Sequence, residues 1–184
     1  MIRPANYPNG APGSGSTIVE TLAGVKVGVL NVMGRVFMEP LDCPFEAARR
    51  ELTRLKMVTP IIVVDMHAEA TSEKVAMGWF LDGQVSCVFG THTHIPTADE
   101  RILPQGTAFI TDVGMVGPYD SVIGRRVDQI LQRFLTHLPA KSEVAEGNVQ
   151  LRGLLVEVDP KTGKALAVER ITRTLDESIQ SRGD

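Results

Sequence analysis

Short runs of apolar and β-branched residues recur along the chain and predict β-strands. They lie at residues 17–20, 25–32, 60–65, 85–89 and 107–111, and a final pair at 149–158 and 164–174 predicts a hairpin across Asp159-Pro160-Lys161-Thr162-Gly163. The first two runs flank Leu22-Ala23-Gly24, which is typical of another hairpin. Residues 1–16 carry several prolines and glycines without periodicity and predict coil, and residues 177–184 predict a frayed tail.

Helical spacing of apolar residues predicts three helices between these strands. The first is expected to be capped by Asp42, with Pro44 in its first turn, and the second to run from a cap at Thr71 or Ser72 through residue 81. The third begins near Arg125 and ends before Pro139. Its apolar face is predicted to contain Val127, Ile130, Leu131, Phe134, Leu135 and Leu138. Residues 112–124 are punctuated by glycine and predict a loop that borders the functional site.

Two of the predicted strands end in histidine, and these histidines are the main candidates for functional residues. One strand runs into Asp65-Met66-His67-Ala68-Glu69, and another runs into Gly90-Thr91-His92-Thr93-His94. A helix between them makes a strand–helix–strand crossover, which places the two strands parallel with both histidine-bearing ends on one edge of the sheet. Side chains two residues apart in extended chain point the same way, so we expect His67, His92 and His94 to cluster.

Length, charge and cysteine content narrow the class of protein. The 184 residues fit one domain, and 19 basic against 22 acidic side chains form no basic stripe for extended nucleic acid. Cys87 lies within an apolar run, which favours a reduced, buried thiol and a cytoplasmic location. No apolar run approaches the roughly 20 residues of a membrane span, so no membrane partner is expected.

Three histidines around an open coordination position are typical of hydrolytic metal sites. A bound divalent ion can lower the pKa of water to about 7 and so supply hydroxide at neutral pH. The nearby carboxylates of Asp65, Glu69, Asp99 and Asp112 could ligate a metal, orient an imidazole or cap turns, and Thr91 is expected to form hydrogen bonds at the strand end. Two ions about 3.5–4 Å apart would also need a bridging carboxylate, and none stands at a third strand end.

Several blocks of sequence resemble the YmdB-like branch of the calcineurin-like metallophosphoesterases. They include residues 64–74, 90–99, 111–115 and 119–124, together with Arg3-Pro4-Ala5-Asn6-Tyr7-Pro8 and Asn31-Val32-Met33-Gly34-Arg35. The resemblance covers nearly the whole chain and corresponds to the C-terminal two-thirds of that family. It implies an α/β fold, a two-sheet β-sandwich flanked by helices in four αββα layers, which we expect to be incomplete at its N-terminus.

The resemblance also implies an activity and a set of ligands. Members of the branch bind two divalent metal ions, such as iron or manganese, and hydrolyse phosphodiesters, characteristically 2′,3′-cyclic nucleotides. By similarity His67 and His92, 25 residues apart, would ligate one metal and His94 the other. Asp65, Glu69, Thr91 and Asp112 would support these ligands. The branch is associated with oligomers, so a homo-oligomer with contacts near Tyr119 is a further expectation.

One part of the family pattern has no counterpart in these residues. The branch carries a preceding segment with an aspartate, the bridging glutamate, an asparagine ligand and the histidine that acts on the substrate. With that segment absent, these histidines alone are expected to hold a single ion. The sequence therefore leaves two alternatives to an active phosphodiesterase: a non-catalytic remnant that binds a metal, a nucleotide or a partner protein, and an amidohydrolase-type metal hydrolase.

Overall fold

The chain folds into two β-sheets with two of its helices packed on the larger one, as described by a computed structural model for residues 2–175. The predicted frayed tail at residues 177–184 lies outside the described residues. The order of elements is β1 (Ser16–Glu20), β2 (Lys26–Met33), α1 (Pro44–Leu55), β3 (Ile62–His67), α2 (Thr71–Leu81), β4 (Cys87–Thr91), β5 (Arg101–Ile102), β6 (Ala108–Ile110), β7 (Val116–Pro118), α3 (Val127–Thr136), β8 (Val149–Val158) and β9 (Ala165–Thr174).

The larger sheet has the strand order β1-β2-β3-β4-β6-β5, and the smaller one has the order β7-β8-β9. Strands β2, β3, β4 and β6 are mutually parallel, and the edge strands β1 and β5 run antiparallel to their neighbours. The predicted crossover is confirmed, because α2 connects β3 to β4 and these strands pair in parallel. Their register aligns Met33, His67 and Thr91 in one row at the carboxyl ends of the strands.

Strand periodicity separates the two faces of the larger sheet. Leu30, Val64 and Val88 point to one face and are fully buried in a core that also contains residues of α1 and α2. Val63 and Phe89, on the opposite face, pack toward Leu154 of the smaller sheet. Because side chains alternate along a strand, Asp65 and His67 share a face with Val63, so the chemistry lies on the side of the smaller sheet.

The smaller sheet leaves a gap beside the larger one. A cavity of about 620 Å³ lies between them, with a mainly apolar lining that includes Val27, Val63, Phe89, Leu154 and Val156. Strand β7 pairs with β8 only at Val149, Gln150 and Leu151. Within the described residues, the rest of β8 is paired on one side only, with β9.

Three local predictions were wrong in detail. The helix caps are Cys43 and Ala70, and neither makes a side-chain capping bond. The residue before Pro44 is held extended by the proline ring, which fixes the start of α1 without help from Asp42. The predicted loop at residues 112–124 contains the short strand β7, which pairs with β8 far along the chain and so leaves no local signal.

Helix α3 forms as its periodicity predicts, but its apolar face is largely exposed to solvent in the described part of the chain. No residue of this helix is buried, and Phe134 and Leu135 are 68% and 81% exposed. None of the helices in this range is long and apolar enough to cross a membrane.

Candidate metal centre

Two of the three predicted histidines meet at the carboxyl edge of the larger sheet. His67 is the last residue of β3, and His92 follows directly after β4. His67 Nε2 and His92 Nδ1 are 3.1 Å apart, and the two rings meet edge to face at 89°. Parallel pairing of β3 with β4 is what brings these residues together, as the crossover predicts.

The tautomer of His67 follows from a chain of hydrogen bonds. Thr91 Oγ1 donates its only proton to Asp65 Oδ1 over 2.7 Å, and Asn31 donates to the other carboxylate oxygen over 2.7 Å. The same Thr91 oxygen lies 2.9 Å from His67 Nδ1, so Nδ1 must carry the proton of that hydrogen bond. Nε2 of a neutral His67 then has a free lone pair directed at His92.

Burial favours the neutral form of His67. Desolvation lowers the pKa of His67, and the neighbouring charge of His92 lowers it further. Burial also raises the pKa of Asp65 against the opposing effect of its hydrogen bonds from Thr91 and Asn31. A metal ligand must be unprotonated at the coordinating nitrogen, so both the tautomer and the lowered pKa of His67 suit ligation.

The other ring nitrogen of His92 faces a carboxylate. His92 Nε2 is 3.1 Å from Glu69 Oε2, and the two side chains are 35% and 49% exposed. Glu69 follows β3 by two residues, so the same strand end supplies both His67 and this acidic group. The site is therefore open to solvent on the side of Glu69.

His94 is engaged elsewhere. Its Nδ1 lies 3.0 Å from the carbonyl oxygen of Ile123, which can only accept a hydrogen bond, so Nδ1 carries the proton. Ile123 belongs to the loop that was predicted to border the site. Across the described part of the chain, no group of three or more His, Cys, Asp or Glu side chains is arranged to hold a metal ion.

The donors that are present fit one edge of a metal site. Nitrogens each about 2.1 Å from a tetrahedral ion lie roughly 3.4 Å from each other. The observed 3.1 Å between His67 Nε2 and His92 Nδ1 is close to that separation. The Nδ1 of His94, which the resemblance assigns to the other metal, is hydrogen-bonded to Ile123. Among residues 2–175 no group of three or more potential ligand side chains forms around one point.

The remaining carboxylates have structural partners. Partial burial acts to raise the pKa of Asp99, but hydrogen bonds donated by the hydroxyls of Thr111 and Thr97 together lower it below its ordinary value. Asp112 forms a buried ion pair with Lys74 and does not contact an imidazole in the hydrogen-bond network. This role of Lys74 could not be predicted from the sequence, since a lysine in a helix is ordinarily exposed and nothing local marks it as buried.

Two solved structures have the same fold as this chain, and one of them is a phosphatase. A crystal structure of a phosphatase from Mycoplasma pneumoniae superposes with a TM-score of 0.85 at 37% identity, covering 100% of this chain and 66% of that one. A hypothetical protein from Thermus thermophilus gives a TM-score of 0.87 at 42% identity, covering 94% of this chain and 67% of that one. The mixed α/β fold is thus one that a phosphatase uses.

The family follows from sequence comparison. Residues 1–171 match the model of the family described as YmdB-like protein, and the chain belongs to that family. It is 51% identical over 171 residues to the 2′,3′-cyclic-nucleotide 2′-phosphodiesterase of Bacillus subtilis (strain 168), which covers 93% of this chain. The chain spans 64% of the length of that relative.

Proposed function

We propose that this chain carries part of the active site of a metal-dependent phosphodiester hydrolase that acts on 2′,3′-cyclic nucleotides. The observation that carries the proposal is the 3.1 Å approach of His67 Nε2 to His92 Nδ1 at adjacent parallel strand ends. The identity to the Bacillus subtilis phosphodiesterase supports this class of substrate.

Each residue of the site then has a definite task. His67 and His92 would hold one ion through Nε2 and Nδ1, and His94 would present Nε2 to a second ion. Thr91 fixes the ring of His67 by accepting a hydrogen bond from its Nδ1, and Asp65 in turn accepts the Thr91 hydroxyl proton, an arrangement that orients imidazole ligands in many metal sites. A bound divalent ion supplies Lewis acidity and a water of lowered pKa.

The same proposal extends to cofactor, assembly and location. Imidazole donors suit iron and manganese among other ions, and we place the enzyme in the cytoplasm as a four-layer αββα fold. The exposed apolar face of α3, with Leu131, Phe134 and Leu135, suits a contact in a homo-oligomer.

A non-catalytic role is the second candidate. It is favoured by the lack, within residues 2–175, of a complete group of three ligands around one point. A chain of this kind would bind a single ion or a nucleotide without turnover.

Metal analysis combined with hydrolysis separates the two candidates. We would load the purified chain with Mn²⁺ or Fe²⁺, determine metal per chain, and assay bis(p-nitrophenyl) phosphate and then 2′,3′-cyclic against 3′,5′-cyclic nucleotides. Turnover abolished by His92→Ala but kept by His137→Ala, which alters an exposed residue at the end of α3, supports the enzyme. Metal binding without turnover supports the non-catalytic role, and no metal binding contradicts both assignments of His67 and His92.

A further inference from the structure

The turn that carries His92 and His94 has an unfavourable backbone. His92 has φ 102° and His94 has φ 67°, and both values lie in the region that favours glycine. Two strained histidines on either side of Thr93 will keep this conformation only if the surrounding structure enforces it.

Thr93 is anchored by a buried carboxylate. Asp112 Oδ2 accepts hydrogen bonds from the Thr93 backbone N–H at 3.2 Å and from its hydroxyl at 2.7 Å. The other oxygen, Oδ1, accepts from the backbone N–H of Gly114 at 2.9 Å. Asp112 therefore ties the middle of the histidine turn to the segment that follows β6.

Lys74 ties the same turn to α2. Its Nζ donates to Asp112 Oδ2 at 2.8 Å and to the carbonyl oxygen of Thr91 at 3.2 Å, and the side chains of both charged residues are 1% exposed. The pair thus holds Thr91 and Thr93, the two neighbours of His92 in the chain.

Gly90 in β4 provides the space that the Lys74 side chain occupies. A Cβ added at Gly90 would lie 2.5 Å from Lys74 Cδ and 1.7 Å from the carbonyl oxygen of Thr111. Glycine in β4 is what leaves room for the lysine stem beside the strand.

We propose that Lys74 and Asp112 are positioning residues that hold the His92–Thr93–His94 turn in its strained, ligand-presenting conformation. The inference deepens the proposed function and rests on it in one respect, namely that these histidines are ligands. A buried charge left without its partner is strongly unfavourable, so loss of either residue is expected to release the turn rather than leave it in place.

The test compares Lys74→Met and Asp112→Asn with a matched control, Asp82→Asn. Asp82 is also a buried carboxylate, and it accepts backbone N–H groups from Gln105 and Thr107, away from the histidines. NMR of the metal-free chains, with backbone couplings that report φ and imidazole signals assigned to His92 and His94, is the primary readout. Mn²⁺ affinity by calorimetry is the second.

We expect both Lys74→Met and Asp112→Asn to move the couplings and imidazole signals of His92 and His94, and to weaken Mn²⁺ binding by about tenfold or more. Asp82→Asn is expected to lower stability while leaving these signals and the affinity unchanged. If Lys74→Met does not fold, Thr93→Val removes a single hydrogen bond to Asp112 and is expected to give a smaller change of the same kind.

Unchanged couplings and signals in folded Lys74→Met, or equal changes in Asp82→Asn, would overturn the inference. The NMR readout needs no metal, so it is separable from the proposed function. A wild-type chain that binds no metal refutes the function, whereas a turn that is insensitive to Lys74 and Asp112 refutes the positioning role.

Discussion

Replacing Thr91 by valine tests how the strand edge prepares His67 for a metal. The substitution keeps the shape of the side chain and removes the one hydroxyl that joins Asp65 to His67, at 2.7 Å and 2.9 Å. Both partners are partly buried, and Asp65 keeps its hydrogen bond from Asn31. Leaving partly buried polar groups unpaired costs about 1–2 kcal/mol here.

The informative effect is on the tautomer of His67. In the wild type the proton is held at Nδ1, because the Thr91 oxygen accepts it and donates its own proton to Asp65. Without the hydroxyl, Nδ1 loses its acceptor and the Nε2–H tautomer becomes populated, which blocks the nitrogen that faces His92. We expect Mn²⁺ affinity to fall by about tenfold, the usual effect of removing a partner that orients a ligand.

Two-bond ¹H–¹⁵N correlation spectra of metal-free wild type and Thr91→Val, recorded above neutral pH, distinguish the tautomers directly. Thr107→Val is the control, because Thr107 is a buried threonine whose hydroxyl donates to Val85 over 2.7 Å and accepts from Gly83 over 2.9 Å. It should lower stability without changing His67. An Nε2–H tautomer already present in the wild type would refute the reasoning.

Three further predictions concern stability and are measured by urea denaturation. Burial raises the pKa of the Cys87 thiol to about 12 from its ordinary value of 9.0. Because the thiol ionises at lower pH in the unfolded chain than in the folded one, the free energy of unfolding of the wild type should fall by on the order of 1 kcal/mol between pH 8 and 10. Cys87→Ala should not show this fall. A pH dependence identical in both proteins would contradict this. Gly90→Ala places a Cβ 1.7 Å from the Thr111 carbonyl oxygen, so we expect a loss of at least about 3 kcal/mol, and a near-neutral effect would show that β4 can shift. Asn6→Ala removes hydrogen bonds of 2.8 and 2.9 Å between a side chain that is 1% exposed and the Met33 backbone. We expect the free energy of unfolding to fall by about 2–3 kcal/mol. A fall below about 0.5 kcal/mol would mean that water replaces these hydrogen bonds.

Local patterns were sufficient for the part of the fold that positions the histidines. Alternating and continuous apolar runs predicted β2, β3, β4 and the β8–β9 hairpin, and the crossover rule placed the ends of β3 and β4 on one edge. The short strands β5 and β7 were missed, because two or three residues carry no periodicity and their partners lie far along the chain. The predicted side-chain caps, Asp42 for α1 and Thr71 or Ser72 for α2, were also wrong. These polar residues satisfy the local rule, but Cys43 and Ala70 occupy the cap positions.

The sequence by itself determined which side chains stand at the strand ends, since the alternation of strand residues and the handedness of the crossover are local properties of the chain. Only the tertiary structure decided what those side chains contact. The hydrogen-bond chain from Asp65 through Thr91 to His67 crosses two strands, and the Lys74–Asp112 pair joins α2 to the segment after β6. Such contacts depend on the register and spacing of distant elements, which no local pattern specifies. For the same reason the sequence predicted the helix α3 but not that its apolar face would be exposed.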